Sequence, residues 1–457
     1  MENIEPQKND RREIFGWLAY DWANSVFFTS VVGVLIGEYI TTLAQGAVGE
    51  NGVVLSFGGV DLVTAKSLFP YSVGLSVFLQ IFFLPVLGAI ADYTNLKKTF
   101  MAFFCYLGVI ACCLLFFVEA QTYLLGCALF IVANLSAGAS IVFYNSYLPD
   151  ITTEDRRDKI SSWGFAAGYI SGAIVLFANL IFLKNAASIG ITSNFAVRIS
   201  LLTAGIWWGA FALITFYLLK KRQPARAVPE GKNYVAAGFG ELKETFKELF
   251  QLKSTLTFLI AYLLYNDGIQ TVITSSATFM SQELFVAKGI EVDRSVLVIA
   301  FLIAQIVGFV GAIAFERIAN FSSAKTAILI SLAIWALIVI YAYAFLSNVT
   351  EAYFMSGAIG FVLGGSQALS RSLFSQMIPK GRESSFFGIY EISERGTSWI
   401  GPIVFGFVAQ MTDSYRPAIL ALIVFFIVGS IILLFTDTDK AVREAGNTPP
   451  GALPPHV

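Results

Sequence analysis

The sequence is poor in charge and has almost no histidine. Lys, Arg, Asp and Glu make up only 13% of its 457 residues, whereas soluble domains usually carry about 25%. This scarcity excludes an ordinary water-soluble globular domain. The one histidine, His456, lies in a Pro-rich tail, so a histidine cluster and Ser-His catalysis are excluded as well.

Motifs of metal, redox and nucleotide chemistry are also missing. No Gly-x4-Gly-Lys-Ser/Thr loop is present, so nothing indicates ATP as an energy source. The cysteines all fall in apolar runs without metal-ligand spacing and are interpreted as small core residues: Cys105, Cys112, Cys113 and Cys127. We expect no cofactor, no metal and no nucleic-acid partner. A membrane enzyme is the less favoured alternative, because it would need a His, Cys or paired-acid cluster at the membrane surface.

Long apolar runs dominate what is present, since 56% of the residues are hydrophobic. A bilayer core about 30 Å thick is crossed by about 20 apolar residues in helical form. The sequence therefore predicts an all-α membrane protein with twelve transmembrane helices. The predicted spans are 14–41, 67–91, 98–118, 121–148, 161–184 and 195–219, followed by 254–281, 295–315, 325–346, 350–376, 386–410 and 415–436.

The placement of Lys and Arg predicts the orientation. With the N-terminus inside, 22 of these residues fall in cytoplasmic segments and 6 in external ones, while Arg371 and Arg395 lie within helices. Basic residues accumulate on the cytoplasmic side, so both termini are predicted to be cytoplasmic. We expect no cleavable signal, because the first thirteen residues are polar and the first apolar run is of full spanning length. We expect a monomeric, multi-pass protein of a bacterial inner membrane.

The predicted organisation has two six-helix bundles, 14–219 and 254–436, joined by a cytoplasmic linker, 220–253. A short segment, 1–13, precedes them and a Pro-rich tail, 437–457, follows. In the linker, Leu242, Phe246, Leu249 and Phe250 recur at helical spacing, with charged residues between them. This pattern predicts either an amphipathic helix lying flat at the membrane surface or a soluble linker helix.

An internal repeat supports the two bundles. Three segments of the first half recur in the same order in the second: Tyr20 to Ser25 as Tyr265 to Gln270, Gly88-Ala-Ile-Ala as Gly311-Ala-Ile-Ala, and Tyr147-Leu-Pro149 as Met377-Ile-Pro379. Parallel six-helix repeats are the plan of two-domain transporters, with a central site near the midplane.

Two sets of motifs resemble a known family. Gly88 to Lys98 reads Gly-Ala-Ile-Ala-Asp-Tyr-Thr-Asn-Leu-Lys-Lys and resembles the loop signature of the major facilitator superfamily, although its degenerate copy in the second half has Phe315 at the acidic position. More specific segments resemble the vacuole-effluxer-like branch of that superfamily: Gly16 to Ser25, Tyr265 to Gly268, Gly365 to Ser372 and Phe386 to Tyr390. The resemblance implies the major facilitator fold, with helices 1, 4, 7 and 10 lining a cavity. It also implies transport, since fungal members are implicated in amino-acid efflux from the vacuole.

Ionisable residues at membrane depth are costly, at roughly 2.5–3.5 kcal/mol each, and need partners or a function. The candidates for substrate binding are Asp21, Asn24, Tyr144, Asn145, Asn266, Asp267, Gln270, Gln367 and Arg371. The candidates for proton coupling are Asp21, Asp267, Glu391 and Glu394. Helix–helix hydrogen bonding is the alternative interpretation of the polar clusters.

The helical rise predicts that Arg371 and Glu391 lie at similar depths, roughly 8 and 10 Å from the cytoplasmic ends of their helices. They could pair across the contact between helices 10 and 11. Glu391 and Arg395 are also spaced i, i+4 and could pair within one helix. A structural ion pair and a substrate or proton site both remain open here.

Asp92 is predicted to have a gating role. It ends helix 2 on the inside, where Ser384 and Ser385 should begin helix 11, and the positive end of a helix dipole favours a carboxylate. It could latch the two halves together, with Lys97 and Lys98 nearby. A solvated loop charge is the alternative. In helix 5, glycine every four residues from Gly164 to Gly172 predicts close helix contacts.

The predicted function is a secondary transporter of a small polar solute, such as an amino acid, by alternating access. A zwitterion fits the inventory, because Arg371 could hold a carboxylate and Asp21 or Asp267 an ammonium group. Proton coupling is predicted because a carboxylate in apolar surroundings can exchange protons. A lipid translocator or a non-transporting receptor of the same fold is the alternative.

Overall fold

The computed structural model describes residues 8–49, 52–57, 60–222, 234–290, 293–391, 394, 400–412 and 414–449. Its α-helices are α1 (Arg11–Val26), α2 (Ile36–Val48), α3 (Leu68–Asp92), α4 (Lys97–Leu114), α5 (Tyr123–Ser146), α6 (Leu148–Ile151), α7 (Arg157–Lys184), α8 (Ser193–Leu218), α9 (Tyr234–Gln251), α10 (Lys253–Leu284), α11 (Arg294–Phe321), α12 (Ala324–Ala344), α13 (Val349–Gln376), α14 (Glu383–Glu391), α15 (Ile400–Thr412), α16 (Tyr415–Ala421), α17 (Ile423–Phe435) and α18 (Thr438–Glu444). Short 3-10 turns join some of them: Leu115–Phe117, Ala120–Thr122, Glu154–Arg156, Ala187–Ile189 and Val286–Lys288.

The first membrane crossing is longer than predicted. A π-helical segment, Phe27–Leu35, links α1 to α2 without a break, so the crossing covers Arg11–Val48 rather than 14–41. It begins where the Asp10 side chain accepts a hydrogen bond from the backbone N–H of Arg12, which satisfies one of the free donors at a helix start. The π-helical segment was not predicted, because its composition is that of any apolar helix.

A β-hairpin after the first crossing was also missed. Strands β1 (Val53–Phe57) and β2 (Val60–Thr64) pair antiparallel, with Ser56 opposite Asp61. Their valine residues are typical of strands. The hydropathy pattern, however, indicates only a loop between the first two predicted spans.

Ten crossings among the described residues are long and apolar enough to span a membrane. The two predicted spans that are not among these ten are spans 10 and 11. The first, α13, has 28 residues but is more polar. The second is present as α14 and α15, and residues 392–393 and 395–399 between them, including the candidate Arg395, lie outside the described residues.

Each half has its own apolar core. One cluster of buried side chains, which includes Trp208, belongs to the first half, and another, centred on residues such as Trp335, lies mainly in the second. Outward-facing residues are apolar too: Phe82, Phe103 and Leu213 are each more than half exposed. Such a surface suits lipid rather than water. The described helices thus form two halves, each packed around its own apolar core.

We call the end of the bundle where α1 begins the inner side. It is the side predicted to be cytoplasmic. The halves meet closely there, because a Cβ atom added at Gly88 of α3 would lie 2.2 Å from the carbonyl oxygen of Ser384 in α14. A Cβ atom added at Gly388 would lie 2.9 Å from the carbonyl oxygen of Leu84. Only glycine permits this approach of two backbones, so the inner side is closed.

Candidate functional site

Arg371 belongs to the second half but is buried among side chains of the first. Arg371 of α13 is 3% exposed. Its Nε donates to Ser161 Oγ at 2.9 Å, and its Nη2 donates to the Ser161 carbonyl oxygen at 2.8 Å. Its Nη1 reaches Asn145 Oδ1 at 3.3 Å. The guanidinium group thus donates hydrogen bonds to α7 and α5, both in the opposite half.

Aromatic rings surround the same guanidinium group. Its central carbon lies 4.3 Å from the ring centroid of Phe165, 4.9 Å from that of Trp17 and 5.6 Å from that of Tyr144. Cation–π contacts of this kind strengthen when the charge is removed from water. The cluster therefore compensates part of the cost of burying Arg371.

Asp21 of α1 is the anionic partner in this cluster. Its Oδ2 accepts a hydrogen bond from the Tyr144 hydroxyl at 2.6 Å and lies 3.5 Å from Arg371 Nη2. Tyr144 is fixed in turn, because its ring stacks on Trp17 at 4.4 Å and its carbonyl oxygen accepts from Trp17 Nε1. The ion pair is longer than the tyrosine contact, so Asp21 is positioned chiefly by Tyr144.

Glycines of α7 make room for this arrangement. A Cβ atom added at Gly164 would lie 2.2 Å from Asp21 Oδ2 and 3.0 Å from Arg371 Nη2. One and two turns further, Cβ atoms at Gly168 and Gly172 would meet the hydroxyl oxygens of Ser25 and Thr29 at 2.3 and 2.5 Å. The close packing that the glycine spacing predicts is confirmed.

Asn145 links Arg371 to Glu391. It accepts from the arginine, and its Nδ2 donates to Glu391 Oε1 at 2.8 Å. Glu391 of α14 is fully buried. The predicted meeting of Arg371 and Glu391 across helices 10 and 11 therefore has Asn145 as an intermediary, and Asp21 is an additional partner that the sequence did not reveal.

Asp267 of α10 lies in a different setting. Its Oδ2 accepts a hydrogen bond at 2.8 Å from the backbone N–H of Gly401 in α15, while its buried Oδ1 has no hydrogen-bond partner among the described residues. A carboxylate that accepts from a buried backbone N–H forms a charge-assisted hydrogen bond. The neighbouring Asn266 donates to the carbonyl oxygen of Glu394 at 3.0 Å. Both residues thus contact the region around the join of α14 and α15.

The remaining candidates are distributed unevenly. Gln367 of α13 accepts from the Tyr169 hydroxyl of α7 at 3.0 Å, a further polar contact between the halves. Asn24 is buried in α1, and Gln270 is half-buried in α10, where its carbonyl oxygen accepts from Thr274. No set of three or more His, Cys, Asp or Glu side chains within the described part of the chain could hold a metal ion.

Asp92 lies where its predicted latch requires. Its Oδ1 accepts from the backbone N–H of Ser384 at 3.0 Å, and its Oδ2 accepts from the backbone N–H of Ser385 at 2.9 Å and also from the Ser385 hydroxyl. The carboxylate is 2% exposed, which contradicts the alternative of a solvated loop charge. It joins the first half to the second at the inner side.

The two lysines expected near Asp92 form their hydrogen bonds elsewhere in the first half. Lys97 donates to Asp150 Oδ2 at 2.9 Å, and Lys98 donates to the carbonyl oxygen of Leu219. Lys97 nevertheless lies close enough to Asp92 and to Glu383 of α14 for their charges to interact, whereas Lys98 is directed at the inner end of α8.

Sequence reasoning missed Trp17, Ser161, Phe165 and Tyr169. Ser161 also donates to the Ala368 carbonyl oxygen at 2.7 Å. A usable signal existed in part, since Ser161, Phe165 and Tyr169 follow one face of the glycine-rich helix. Aromatic residues in an apolar helix, however, are ordinarily packing residues, so the pattern alone did not single them out.

Comparisons with known proteins agree with this architecture. The sequence model of the family described as "Vacuole effluxer Atg22 like" matches residues 9–446. An uncharacterized MFS-type transporter, YxiO, of Bacillus subtilis is 29% identical over 97% of this chain and 99% of its own length. Autophagy-related protein 22 of Coccidioides immitis is 25% identical, over 96% of this chain and 89% of its own.

Solved structures share the fold at low identity. The major facilitator transporter FucP in its outward conformation has a TM-score of 0.67 at 11% identity, covering 94% of this chain and 99% of that one. The human organic anion transporter MFSD10 has a TM-score of 0.67 at 12% identity, covering 93% of this chain and all of its own.

Proposed function

Because the chain belongs to the vacuole effluxer Atg22-like family of major facilitator transporters, we propose that it exports a small polar solute, an amino acid, by proton-coupled alternating access. The observation that carries the proposal is the burial of Arg371 among Asp21, Asn145 and Ser161 of the opposite half. Because this charge joins the two halves, substrate binding at Arg371 would be coupled to the relative position of the halves, and so to the side on which the transporter is open.

Arg371 is the proposed carboxylate site. Guanidinium is a planar fork that matches a carboxylate bidentately and remains charged in a membrane protein. In the closed arrangement its donors are directed at Ser161, Asn145 and Asp21. A substrate carboxylate would replace Asn145 and Asp21, while Asp21, released from the arginine, would accept the substrate ammonium group.

Alternating access then requires the inner contacts to break together. The Asp92 contacts to α14, the Asn145–Glu391 hydrogen bond and the Arg371 cluster all cross between the halves. Rocking of one half against the other would open them and expose the site to the inner side. Substrate binding supplies part of the lost interaction energy by pairing Arg371 and Asp21 with groups of its own.

Proton coupling would use the carboxylates near this cluster. Asp21 and Glu391 both lie within the buried network, and Glu394 lies close to the second-half helix α10. An acid that loses its cationic partner inside the protein binds a proton readily, since the charged form is poorly solvated there. Separation of Asp21 from Arg371 would thus favour proton uptake.

Reconstituted proteoliposomes test the proposal. Purified full-length protein would be loaded with single labelled amino acids, and efflux would be measured with and without a pH gradient. We expect at least one amino acid to move faster with the gradient, and Arg371→Gln to abolish that movement. Arg317→Gln is the matched control, because Arg317 is an exposed arginine of α11. Equal efflux from Arg371→Gln and native protein would refute the proposed site.

A lipid translocator is the second candidate, and one feature favours it. A groove of about 630 Å³ on the outside of the second half is lined by apolar side chains of α11, α12 and α13, among them Ile303, Ile334 and Phe361. An apolar lining of this kind suits an acyl chain. Flipping of a fluorescent phospholipid in the same vesicles, without amino-acid efflux, would favour this candidate.

A further inference from the structure

The linker helix α9 has two chemically different flanks. Among its described side chains, Thr245 and Leu249 are buried against the bundle. At 100° per residue, Glu244 and Glu248 fall on one flank of that buried face. The opposite flank has Lys243, Phe246, Lys247 and Phe250, which we call the basic-aromatic flank.

Arg382 of the second half fixes the rotation of α9. Its Nη1 donates to Thr245 Oγ1 at 3.1 Å, and its Nε lies 2.6 Å from Glu248 Oε2. Its Nη2 is 3.9 Å from Glu244. The acidic flank is therefore compensated by the protein itself. The helix also packs against α3 of the first half, so it is held on the bundle rather than free in solution.

The basic-aromatic flank is left for another partner. Phe246 is 38% exposed and Phe250 is 66% exposed. Lys243 and Lys247 are exposed, and neither ammonium group forms an ion pair with a described residue. At 100° per residue the two rings lie beside the buried face and the two lysines lie further round the helix. Exposed aromatic rings beside cations are unfavourable in water but suit the boundary between headgroups and acyl chains.

The position of α9 places this flank near the bilayer. One residue, Leu252, separates it from α10, which begins a membrane crossing at Lys253. Other exposed aromatic residues mark the inner ends of crossings: Tyr217, Phe321 and Phe435. Aromatic residues at this level are typical of the membrane interface.

We propose that the basic-aromatic flank of α9 docks on anionic lipid headgroups of the inner leaflet. Lys243 and Lys247 supply the charge, and Phe246 and Phe250 enter the interface between headgroups and chains. Basic residues close to an anionic surface each strengthen binding by about fivefold. The docking is independent of which solute the protein carries.

Hydrogen–deuterium exchange of the full chain in nanodiscs tests this docking. Discs of phosphatidylcholine alone would be compared with discs containing phosphatidylglycerol. We expect the amides of 242–251 to exchange at least fivefold more slowly in the anionic discs. The variant K243Q/K247Q should lose this difference, and K221Q/K440Q should keep it, because Lys221 and Lys440 are exposed lysines elsewhere on the inner side.

Two outcomes would overturn the proposal. Equal exchange of native α9 in both kinds of disc would show that lipid charge does not act on this helix. That conclusion would hold both for a helix in the membrane interface and for one that stays in water and binds a protein partner. Slower exchange in anionic discs that persists in K243Q/K247Q would assign the effect to other residues.

Discussion

Asp21 and Asp267 lie in the helices that open the two halves, yet they have different surroundings. In the repeat, Tyr20 corresponds to Tyr265, so Asp21 corresponds to Asn266, and Asp267 is one position later. One residue turns a side chain by 100° around a helix. Asp21 consequently faces Tyr144 and Arg371, whereas Asp267 faces Gly401 of α15.

The difference shows how a duplicated bundle becomes specialised. In the first half, the position equivalent to Asp267 is Trp22, which stacks on Trp207 with ring centroids 5.9 Å apart. In the second half, a carboxylate at that position accepts a hydrogen bond from the backbone of α15. The acid of the first half contacts the other half, and the acid of the second half contacts its own. Only the former is positioned to report which side of the protein is open.

The largest effect is expected from Asp21→Asn. The change leaves Arg371 buried without its anion, and breaking a buried pair on one side costs about 3–5 kcal/mol. Efflux should fall by about 100-fold or more, measured in proteoliposomes at matched protein content. Asp10→Asn is the control on the same helix and should have little effect, because Asp10 is a half-buried helix cap and asparagine caps almost equally well. Near-normal efflux from Asp21→Asn would show that the carboxylate of Asp21 is not required for transport, and would refute the contrast drawn with Asp267.

Gly164→Ala should have the next largest effect on efflux. The added methyl group would lie 2.2 Å from Asp21 Oδ2, so the carboxylate must move away from Arg371. We expect efflux to fall by about tenfold, since a misplaced charged group typically costs one to two kcal/mol. Gly406→Ala is the matched control, because no atom lies within 4 Å of a Cβ atom there. If both variants transport alike, the Asp21 geometry is not under the constraint described above.

Asp92→Asn examines the inner latch of the first half. An amide keeps one acceptor for the N–H groups of Ser384 and Ser385 but loses the charge that favours a helix start. We expect a shift of about 1 kcal/mol toward separation of the inner ends. Faster labelling of a cysteine placed at Ser146, which lies 3.2 Å from Ser384, would measure it.

The same labelling needs a reference in which the latch is intact. Asp439→Asn, in α18 beyond the last crossing, should label at the native rate. A native rate in Asp92→Asn as well would mean that the latch contributes nothing to closure, and that other inter-half contacts alone hold the inner side.

The sequence predicted contacts whose partners lie at helix ends better than contacts in the middle of helices. Asp92 was placed near Ser384 and Ser385 because Lys and Arg placement gives the side on which each helix ends. Arg371 could not be paired with Asp21, because depth along a helix is readable from sequence while rotation toward a neighbour is not. The contact of Asp267 with the backbone N–H of Gly401 likewise depends on how α10 and α15 are rotated toward each other, which the apolar pattern does not reveal.

The smallest effect is expected from Asp267→Asn, which sharpens the contrast with Asp21. Asparagine keeps an acceptor oxygen for the N–H of Gly401, whereas alanine leaves this buried donor without that partner, at a cost of about 1–3 kcal/mol. Thermal unfolding in detergent should therefore show little change for Asp267→Asn and a lower midpoint for Asp267→Ala, with efflux by the asparagine variant within a fewfold of native. A supporting carboxylate needs an acceptor atom, while a substrate or proton site needs the charge. Loss of efflux or of the pH-gradient effect in Asp267→Asn, at unchanged stability, would place Asp267 beside Asp21 at the site, as the sequence alone predicts.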